Sequence, residues 1–204
     1  MLLEPRIYLA SKSPRRRELL TQIGIRFDLL MFRAPPREDV ATDETPLPGE
    51  APGDYARRVA MAKAAHGAEL VGMRRLMARP VLAADTTLDV DGVIVGKPGS
   101  DEEAIEILGR LSGRTHEVIT AVALSHAGAS ECLASVSTVR FRTLDLAEIR
   151  RYVATGEPHD KAGAYGLQGR AAAFVEEVRG SPSGIVGLPL CETALLLRRF
   201  GYPI

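Results

Sequence analysis

The strongest constraint on the fold is the Asp91-Gly92 pair, which stands between two runs of alternating apolar residues. This dipeptide favours the type I′ turn that joins antiparallel strands, so the segment predicts a β-hairpin. Two longer strand patterns follow, THEVITAVALS and ECLASVSTVRFRTL, and a short segment that begins with HAGA joins them. Because hairpins pair strands antiparallel, we expect a mixed sheet in an α/β or α+β fold, and not a purely parallel doubly wound one.

Helical patterns alternate with these strands. A short buried strand over residues 6–11 leads into a helix for which Ser13 is a suitable N-cap, Pro14 a suitable first residue and Gly24 a suitable end. Further helices are predicted over residues 54–70, in SDEEAIEILGRLSG, after Asp145 and in LPLCETALLLRRF. The Pro-rich and acidic residues 34–53 are typical of an ordered loop or flap.

The composition excludes several classes of protein. The chain has 204 residues, and its 26 basic and 26 acidic side chains cancel, which disfavours a nucleic-acid coat or an anionic membrane partner. No apolar run approaches the roughly 18 residues of a spanning helix, and Pro5 and Arg6 interrupt any signal peptide. Cys132 and Cys191 match no metal or redox spacing. We therefore expect a cytoplasmic protein without nucleic-acid or membrane partners.

Three consecutive arginines at the start of the first helix form the first candidate site. A helix N-terminus is electropositive, so this position disfavours cations unless an anion binds there. Ser11 and Ser13 add hydroxyl groups, and Arg15 and Arg16 add guanidinium groups that suit phosphate oxygens. The cluster predicts a polyphosphate site, and a solvated basic face is the alternative. Arg17 is the arginine best explained by solvation alone.

The segment LAADTTLDVDGVIVGKP contains the second candidate site. Asp85 follows an apolar stretch, and we expect it at the C-terminal end of a buried strand, where α/β proteins commonly build sites. It is a candidate metal ligand or water activator, with Thr86 beside it and Lys97 returning a cation to the same region. The alternatives are a turn-capping aspartate and a surface lysine.

Weaker candidates lie in other loops and helices. The glycine-rich segment HDKAGAYGLQG contains Lys161 and Gln168, and the Gln168 amide can pair with the edge of a nucleobase. It is neither a Walker A loop nor a convincing dinucleotide fingerprint. Glu44 in the acidic flap is a candidate second carboxylate for a metal, and Lys63 a candidate cation. Solvated side chains are the alternative for both.

Together these segments resemble the Maf family of nucleoside triphosphate pyrophosphatases. LASKSPRRRELL, AADTTLDVDGVIVGKP and DKAGAYGLQG carry the resemblance, which extends over nearly the whole chain as a single domain, residues 1–204. It implies a mixed central sheet flanked by helices, in an elongated, two-lobed architecture like that of Maf and ITPase proteins. The site would lie in the cleft between the lobes, and such proteins are commonly homodimers.

The resemblance also implies an activity and a set of site residues. A nucleotide would be hydrolysed between its α- and β-phosphates, to the monophosphate and pyrophosphate, with Mg²⁺ or Mn²⁺. Asp85 would be the catalytic acid and, with Glu44, a metal ligand. The substrate-binding residues would be Ser11, Ser13, Arg15, Arg16, Lys63, Thr86, Lys97 and Gln168. One departure is Ala62, where relatives often carry Glu, which would leave the metal more dependent on Glu44, Asp85 and water.

Three positions indicate a branch of the family. Arg15 after SP, Thr86 after the acid and Gln168 in GLQG resemble the branch that acts on dTTP and UTP. A Gln amide offers a donor and an acceptor, which suits the O4 and N3–H edge of thymine or uracil. The expected role is removal of unwanted nucleotides from the cellular pool. The alternative is a non-catalytic nucleotide-binding regulator of cell division, which would need neither a metal nor a water-activating Asp85.

Overall fold

The computed structural model describes residues 5–32 and 43–204, which form seven strands and six α-helices. In chain order they are β1 (Ile7–Leu9), α1 (Pro14–Gln22), β2 (Phe27–Leu29), α2 (Pro52–Met73), β3 (Val81–Val90), β4 (Val93–Val95), α3 (Asp101–Leu111), β5 (Thr115–His126), β6 (Ala129–Phe141), α4 (Leu146–Val153), β7 (Val175–Arg179), α5 (Pro182–Val186) and α6 (Leu190–Arg199). Short 3-10 turns lie between α4 and β7. Within these described ranges, no helix combines the length and apolar character needed to cross a membrane.

All seven strands belong to one mixed sheet. Their order is β2-β1-β3-β5-β6-β7, and β4 pairs with β3 as a hairpin. β1 is parallel to β2 and β3, whereas the remaining pairs are antiparallel. The hairpin turn has positive φ at Asp91 and Gly92 (58° and 79°), as a type I′ turn requires. The predicted mixed α/β fold is therefore confirmed.

Helices cover both faces of the sheet. On one face, α2 packs its small residues against alternate residues of β3 and β5. On the other face, α1 and α6 pack against the intervening residues of the same strands. A third apolar cluster lies toward β7, where α3 and α4 cover the far ends of β3 and β5. β3 and β5 thus belong to all three clusters and form the centre of the fold.

Local signals placed the starts of three helices correctly. Ser13, Ser100 and Asp145 each accept a hydrogen bond from the backbone N–H three residues on, as predicted for N-caps. α2 is longer than the predicted residues 54–70 because Pro52 begins it and the pattern continues to Met73. The five-residue α5 was not predicted. Of the predicted flap, residues 34–42 lie outside the described part of the chain.

One prediction about β3 is wrong. Asp85 was expected at the end of a strand, but it is the fifth of ten residues in β3. Thr86 and Thr87 have high β propensity, and β3 continues to pair with β5 as far as Asp89, opposite Glu117. The strand therefore runs through the acid, and Asp85 lies within the sheet and not in a turn that follows it.

A buried histidine makes this fold sensitive to acid. His116 on β5 is 3% exposed, its Nε2 lies 2.8 Å from the Tyr165 hydroxyl, and its Nδ1 has no hydrogen-bond partner among the residues that the structure describes. Burial lowers the pKa of His116 to about 4. The unfolded chain therefore binds a proton more readily than the folded protein, and stability falls as the pH drops below about 6.5.

We expect the free energy of unfolding to fall by about 2 kcal/mol between pH 7 and pH 5 because of His116 alone. In this pH range the histidine is protonated in the unfolded chain but stays neutral in the folded protein. Urea unfolding of the wild type and of His116→Gln at both pH values measures this difference. The loss on acidification should be about 2 kcal/mol smaller in the variant. His126→Gln, at the more exposed end of the same strand, should keep the wild-type loss. Equal losses in wild type and His116→Gln would contradict this assignment.

Candidate active site

An open edge in the middle of β3 creates the site. β1 pairs with β3 only at Val81 and Leu82, and β4 only at residues 88–90. Between them, residues 83–87 have β5 as their one partner among the described strands. Successive side chains of a strand point to opposite faces, so Asp85 faces α2 and Thr86 faces α1. At an unpaired edge, both side chains can reach the same cavity.

The ammonium group of Lys63 joins two carboxylates. Its Nζ lies 2.8 Å from Oδ1 of Asp85 and 2.9 Å from Oε1 of Glu44. Asp85 is only 6% exposed, and burial raises its pKa above the ordinary value, although Lys63 and Arg16 act against that rise. A buried carboxylate with a raised pKa is a better proton acceptor than an exposed one.

The first turns of α2 hold the backbone around Glu44. The Tyr55 hydroxyl donates to the Glu44 carbonyl at 2.9 Å, and the Arg58 guanidinium donates to the two flanking carbonyls, at 3.4 and 3.0 Å. Arg58 also forms a bidentate pair with Glu50, at 2.6 and 2.8 Å, which lowers the pKa of Glu50 to about 2. The three carbonyls of residues 43–45 are thus fixed, and the Glu44 carboxylate points to Lys63.

On the opposite face, Arg16 is anchored by oxygen atoms. Its Nε donates to the Gly187 carbonyl at 2.7 Å, and its Nη2 donates to Oγ1 of Thr86 at 3.2 Å. Its Nη1 lies 3.5 Å from Oγ of Ser11, which also accepts from the backbone N–H of Ser13. Burial lowers the pKa of Arg16, although an arginine stays charged in proteins. An anion in the cavity would offset the cost of burying this charge.

Arg15 is held from the glycine-rich loop. Its Nη1 donates to Oδ2 of Asp160 at 2.9 Å. Asp160 in turn accepts from Nζ of Lys161 at 2.6 Å, and the Lys161 stem passes so close to Gly166 that a Cβ there would lie 2.7 Å from its Cε. This glycine therefore permits close approach of the lysine. The Asp160 side chain is largely exposed, so a more highly charged anion can compete with it for Arg15.

All ten predicted site residues line one cavity of about 770 Å³. They are Ser11, Ser13, Arg15, Arg16, Glu44, Lys63, Asp85, Thr86, Lys97 and Gln168. Of the residues that the structure describes, six cationic and three acidic side chains line it, although the whole chain has no net charge. Apolar side chains, among them Phe32, Tyr165 and Ile185, line other parts of its wall. The cavity thus suits a ligand with a polyanionic part and a less polar part.

The oxygen donors of the cavity fit a hard divalent cation. Asp85 and Glu44 converge on one point, as their shared contact with Lys63 shows. Magnesium ions are typically bound by one or two carboxylates with water and substrate phosphates, and not by a complete protein cage. The described residues contain no group of three or more His, Cys, Asp or Glu that could hold a metal without such help. This donor set therefore fits a metal that arrives with a phosphate ligand.

Several cavity residues have no recognisable signal in the sequence. Tyr55, Asp160 and Gly187 contribute a hydroxyl, a carboxylate and a carbonyl from three separate segments. Only the family resemblance could have indicated that the DKAG segment faces Arg15. Arg17 and Ala62 are not among the residues that line the cavity. Arg17 thus lies outside the cavity that Arg15 and Arg16 line, and its interpretation as a solvated arginine stays a prediction.

Comparisons with known proteins found a matching family and close relatives. The family profile described as Maf-like protein matches residues 6–200. The dTTP/UTP pyrophosphatase of Dechloromonas aromatica (strain RCB) is 58% identical over 97% of this chain and 98% of its own length. The dTTP/UTP pyrophosphatase of Aromatoleum aromaticum is also 58% identical, over 99% of this chain and 98% of its own length. Among solved structures, the Staphylococcus aureus Ham1 protein matches at 15% identity over 96% of this chain and 97% of that chain, with a TM-score of 0.48, which is too low to establish a common fold.

Proposed function

The chain belongs to the Maf family, and we propose that it is a nucleoside triphosphate pyrophosphatase that converts dTTP and UTP to the monophosphate and pyrophosphate. One observation carries the proposal: a buried carboxylate with a raised pKa, Asp85, lies in the same cavity as six cationic side chains of the described part of the chain. That combination suits attack of water on a bound polyphosphate.

The cationic residues would bind and orient the triphosphate. Arg15 and Arg16 approach from α1, Lys63 from α2 and Lys97 from the end of the β-hairpin, so that charge reaches the phosphates from several sides. Ser11 and Ser13 lie in the turn before α1, where hydroxyl and backbone N–H groups can receive phosphate oxygens. Phosphoryl chemistry of this kind depends mainly on positioning and on charge stabilisation.

Asp85 would act as the general base. Its carboxylate accepts a proton from the water that attacks the α-phosphorus, and the bond to the bridging oxygen breaks. Pyrophosphate leaves, with its negative charge balanced by the surrounding arginines and lysines. The contact with Lys63 orients the carboxylate at 2.8 Å. The burial that raises the pKa of Asp85 makes it a stronger base, as long as it is ionised at the working pH.

We propose Mg²⁺ or Mn²⁺ as the cofactor, held by Asp85 and Glu44 with phosphate oxygens and water. When bound, such an ion neutralises phosphate charge and makes water more acidic. Lys63 already lies between the two carboxylates, so it can move to a phosphate oxygen while they remain together. The absence of a Glu at Ala62 leaves these two as the carboxylates that we assign to the metal.

Gln168 would read the edge of the base. It lines the cavity from the glycine-rich loop, and its amide can donate to O4 and accept from N3–H of thymine or uracil. Gln168→Glu should lower kcat/KM for dTTP about tenfold, because a carboxylate repels O4 instead of donating to it. The ratio of activity on 7-methyl-GTP to that on dTTP should rise, because the edge of a methylated guanine donates hydrogen bonds that a carboxylate can accept. Steady-state kinetics with both nucleotides measures these changes.

The control for this substitution is Gln22→Glu, which adds the same charge on the exposed end of α1. The kcat/KM values for both nucleotides should stay within about twofold of the wild type, because Gln22 does not line the cavity and exposed charges are screened. Unchanged dTTP kinetics in Gln168→Glu would remove Gln168 from base recognition.

We propose a cytoplasmic homodimer that removes unwanted pyrimidine nucleotides from the cellular pool and does not bind nucleic acid. The alternative, a non-catalytic regulator of cell division, is not favoured, since relatives more than half identical over almost the whole chain are named as pyrophosphatases.

A nucleotide panel tests the proposed function. The purified protein is incubated with Mg²⁺ and dTTP, UTP, CTP, GTP or 7-methyl-GTP, and pyrophosphate is measured with time. We expect the highest kcat/KM with dTTP and UTP, and no release after chelation of the metal. Binding of dTTP without release of pyrophosphate would favour the regulator instead.

A further inference from the structure

A closed ring of hydrogen bonds lies behind Arg16. Nε and Nη2 form one edge of its guanidinium group, and this edge donates to the Gly187 carbonyl at 2.7 Å and to Oγ1 of Thr86 at 3.2 Å. Thr86 lies directly opposite Thr120 in the pairing of β3 with β5, and the two hydroxyl oxygens are 2.9 Å apart. Thr120 donates to the Gly184 carbonyl at 2.8 Å. Gly184 and Gly187 belong to one short segment, which closes the ring.

The ring allows one direction of proton donation. Each threonine has a single hydroxyl proton, and that of Thr120 is used on Gly184. The contact between the two hydroxyls must therefore be donated by Thr86. Its own proton is then committed to Thr120, so that a lone pair of Thr86 faces Nη2 of Arg16. Thr120 is fully buried, which protects this arrangement from competition by water.

We propose that Thr120 is a positioning residue for the reaction: by fixing Thr86 as an acceptor, it sets the orientation in which Arg16 meets the triphosphate. The proposal rests on the proposed function and deepens it. With its Nε edge satisfied by protein oxygens, the guanidinium directs its remaining N–H groups toward Ser11 and the cavity. A planar guanidinium group recognises phosphate oxygens specifically only when its rotation is fixed.

The same logic separates the roles of Thr86 and Arg16. A phosphate oxygen is an acceptor and needs a donor, but the proton of Thr86 is already used. Thr86 therefore contributes to phosphate binding through Arg16 and not by a direct hydrogen bond. Without the Thr120 hydroxyl, the Thr86 proton can turn toward the guanidinium or the cavity. Arg16 then loses one of the two acceptors that fix its Nε–Nη2 edge, and only the Gly187 carbonyl still holds that edge.

A double-mutant cycle tests the proposal. Thr120→Val keeps the shape of the side chain and removes the hydroxyl, and the Gly184 carbonyl keeps its bond from the Gly187 N–H at 2.9 Å. Thr120→Ser retains the hydroxyl. Both are made with Arg16 and with Arg16→Lys, which keeps the charge but has no second donor edge. The readouts are kcat and KM for dTTP, and Kd for a dTTP analogue with an imido group between the α- and β-phosphorus atoms.

We expect Thr120→Val to lower kcat/KM and weaken analogue binding about tenfold with Arg16, but less than about twofold with Arg16→Lys. Thr120→Ser should stay within about twofold of the wild type. The matched control is Thr193→Val in α6, which removes another fully buried hydroxyl that donates to a carbonyl, outside the cavity. It should leave both readouts unchanged, and thermal unfolding confirms that each variant folds.

Three results would overturn the role of Thr120. They are an equal effect of Thr120→Val in both backgrounds, no effect with Arg16, or failure of Thr120→Ser to restore the wild-type values. If the wild type binds the analogue but does not hydrolyse dTTP, the proposed function fails. The binding cycle then tests Thr120 on its own: coupling to Arg16 supports the ring, and additive effects overturn it.

Discussion

Replacing Asp85 by Asn should lower kcat for dTTP by about three orders of magnitude, because the amide can neither accept the proton of water nor hold a metal with full charge. Folding should survive the change. Burial raises the pKa of Asp85, so the ionised carboxylate is itself costly, and Lys63 keeps its contact with Glu44. The thermal midpoint should equal or exceed that of the wild type, and KM should change far less than kcat.

Asp91→Asn is the matched control for this prediction. Asp91 lies in the β-hairpin turn six residues later, is exposed and pairs with Arg114 outside the cavity. Asn tolerates the positive φ of 58° at this position. Turnover by Asp91→Asn should match that of the wild type. A kcat for Asp85→Asn within tenfold of the wild type would transfer the role of general base to another residue.

Arg16→Ala should lower kcat/KM for dTTP by about three orders of magnitude, because it removes a buried guanidinium whose orientation is fixed by Gly187 and Thr86. Cations that stabilise charge on a transferring phosphoryl group commonly contribute this much. Arg15→Ala should cost much less, about tenfold to thirtyfold, since Arg15 is partly exposed and already paired with Asp160. Steady-state kinetics at saturating Mg²⁺ measures both variants.

Arg17→Ala provides the comparison within the same run of arginines. Arg17 does not line the cavity, and its backbone carbonyl is the atom that accepts from Thr21. Its removal should leave kcat/KM within about twofold of the wild type. If Arg17→Ala lowered kcat/KM as much as Arg16→Ala, the three arginines would act through their summed charge and not through the fixed orientation of the Arg16 guanidinium.

Local chemistry explains what could be predicted. Ser13 as N-cap and the Asp91-Gly92 turn depend on hydrogen bonds and φ values within a few residues, so their patterns were sufficient. The hairpins then excluded a purely parallel sheet, and their alternation with helices favoured a mixed one. The site residues were predicted from residue type, order and family resemblance, and the structure places all ten around one cavity. Their individual roles stay predictions.

Tertiary geometry explains what could not be predicted from the sequence. Asp85 was misplaced because the end of a strand depends on its partners, and β5 keeps pairing past the acid. The contact of Lys63 with Asp85 and Glu44 depends on how α2 packs against the sheet, and no local sequence pattern determines that packing. Thr120 and Gly187 act through a buried hydroxyl and a backbone carbonyl, and neither group leaves a signature in a single sequence.

The central claim is that water attacks the α-phosphorus of a bound pyrimidine triphosphate. Hydrolysis of dTTP with Mg²⁺ in ¹⁸O-enriched water, followed by mass analysis of all products, tests it most directly. We expect equal amounts of dTMP and pyrophosphate, one ¹⁸O atom in dTMP and none in pyrophosphate. Release of dTDP and phosphate, or ¹⁸O in pyrophosphate, would contradict it.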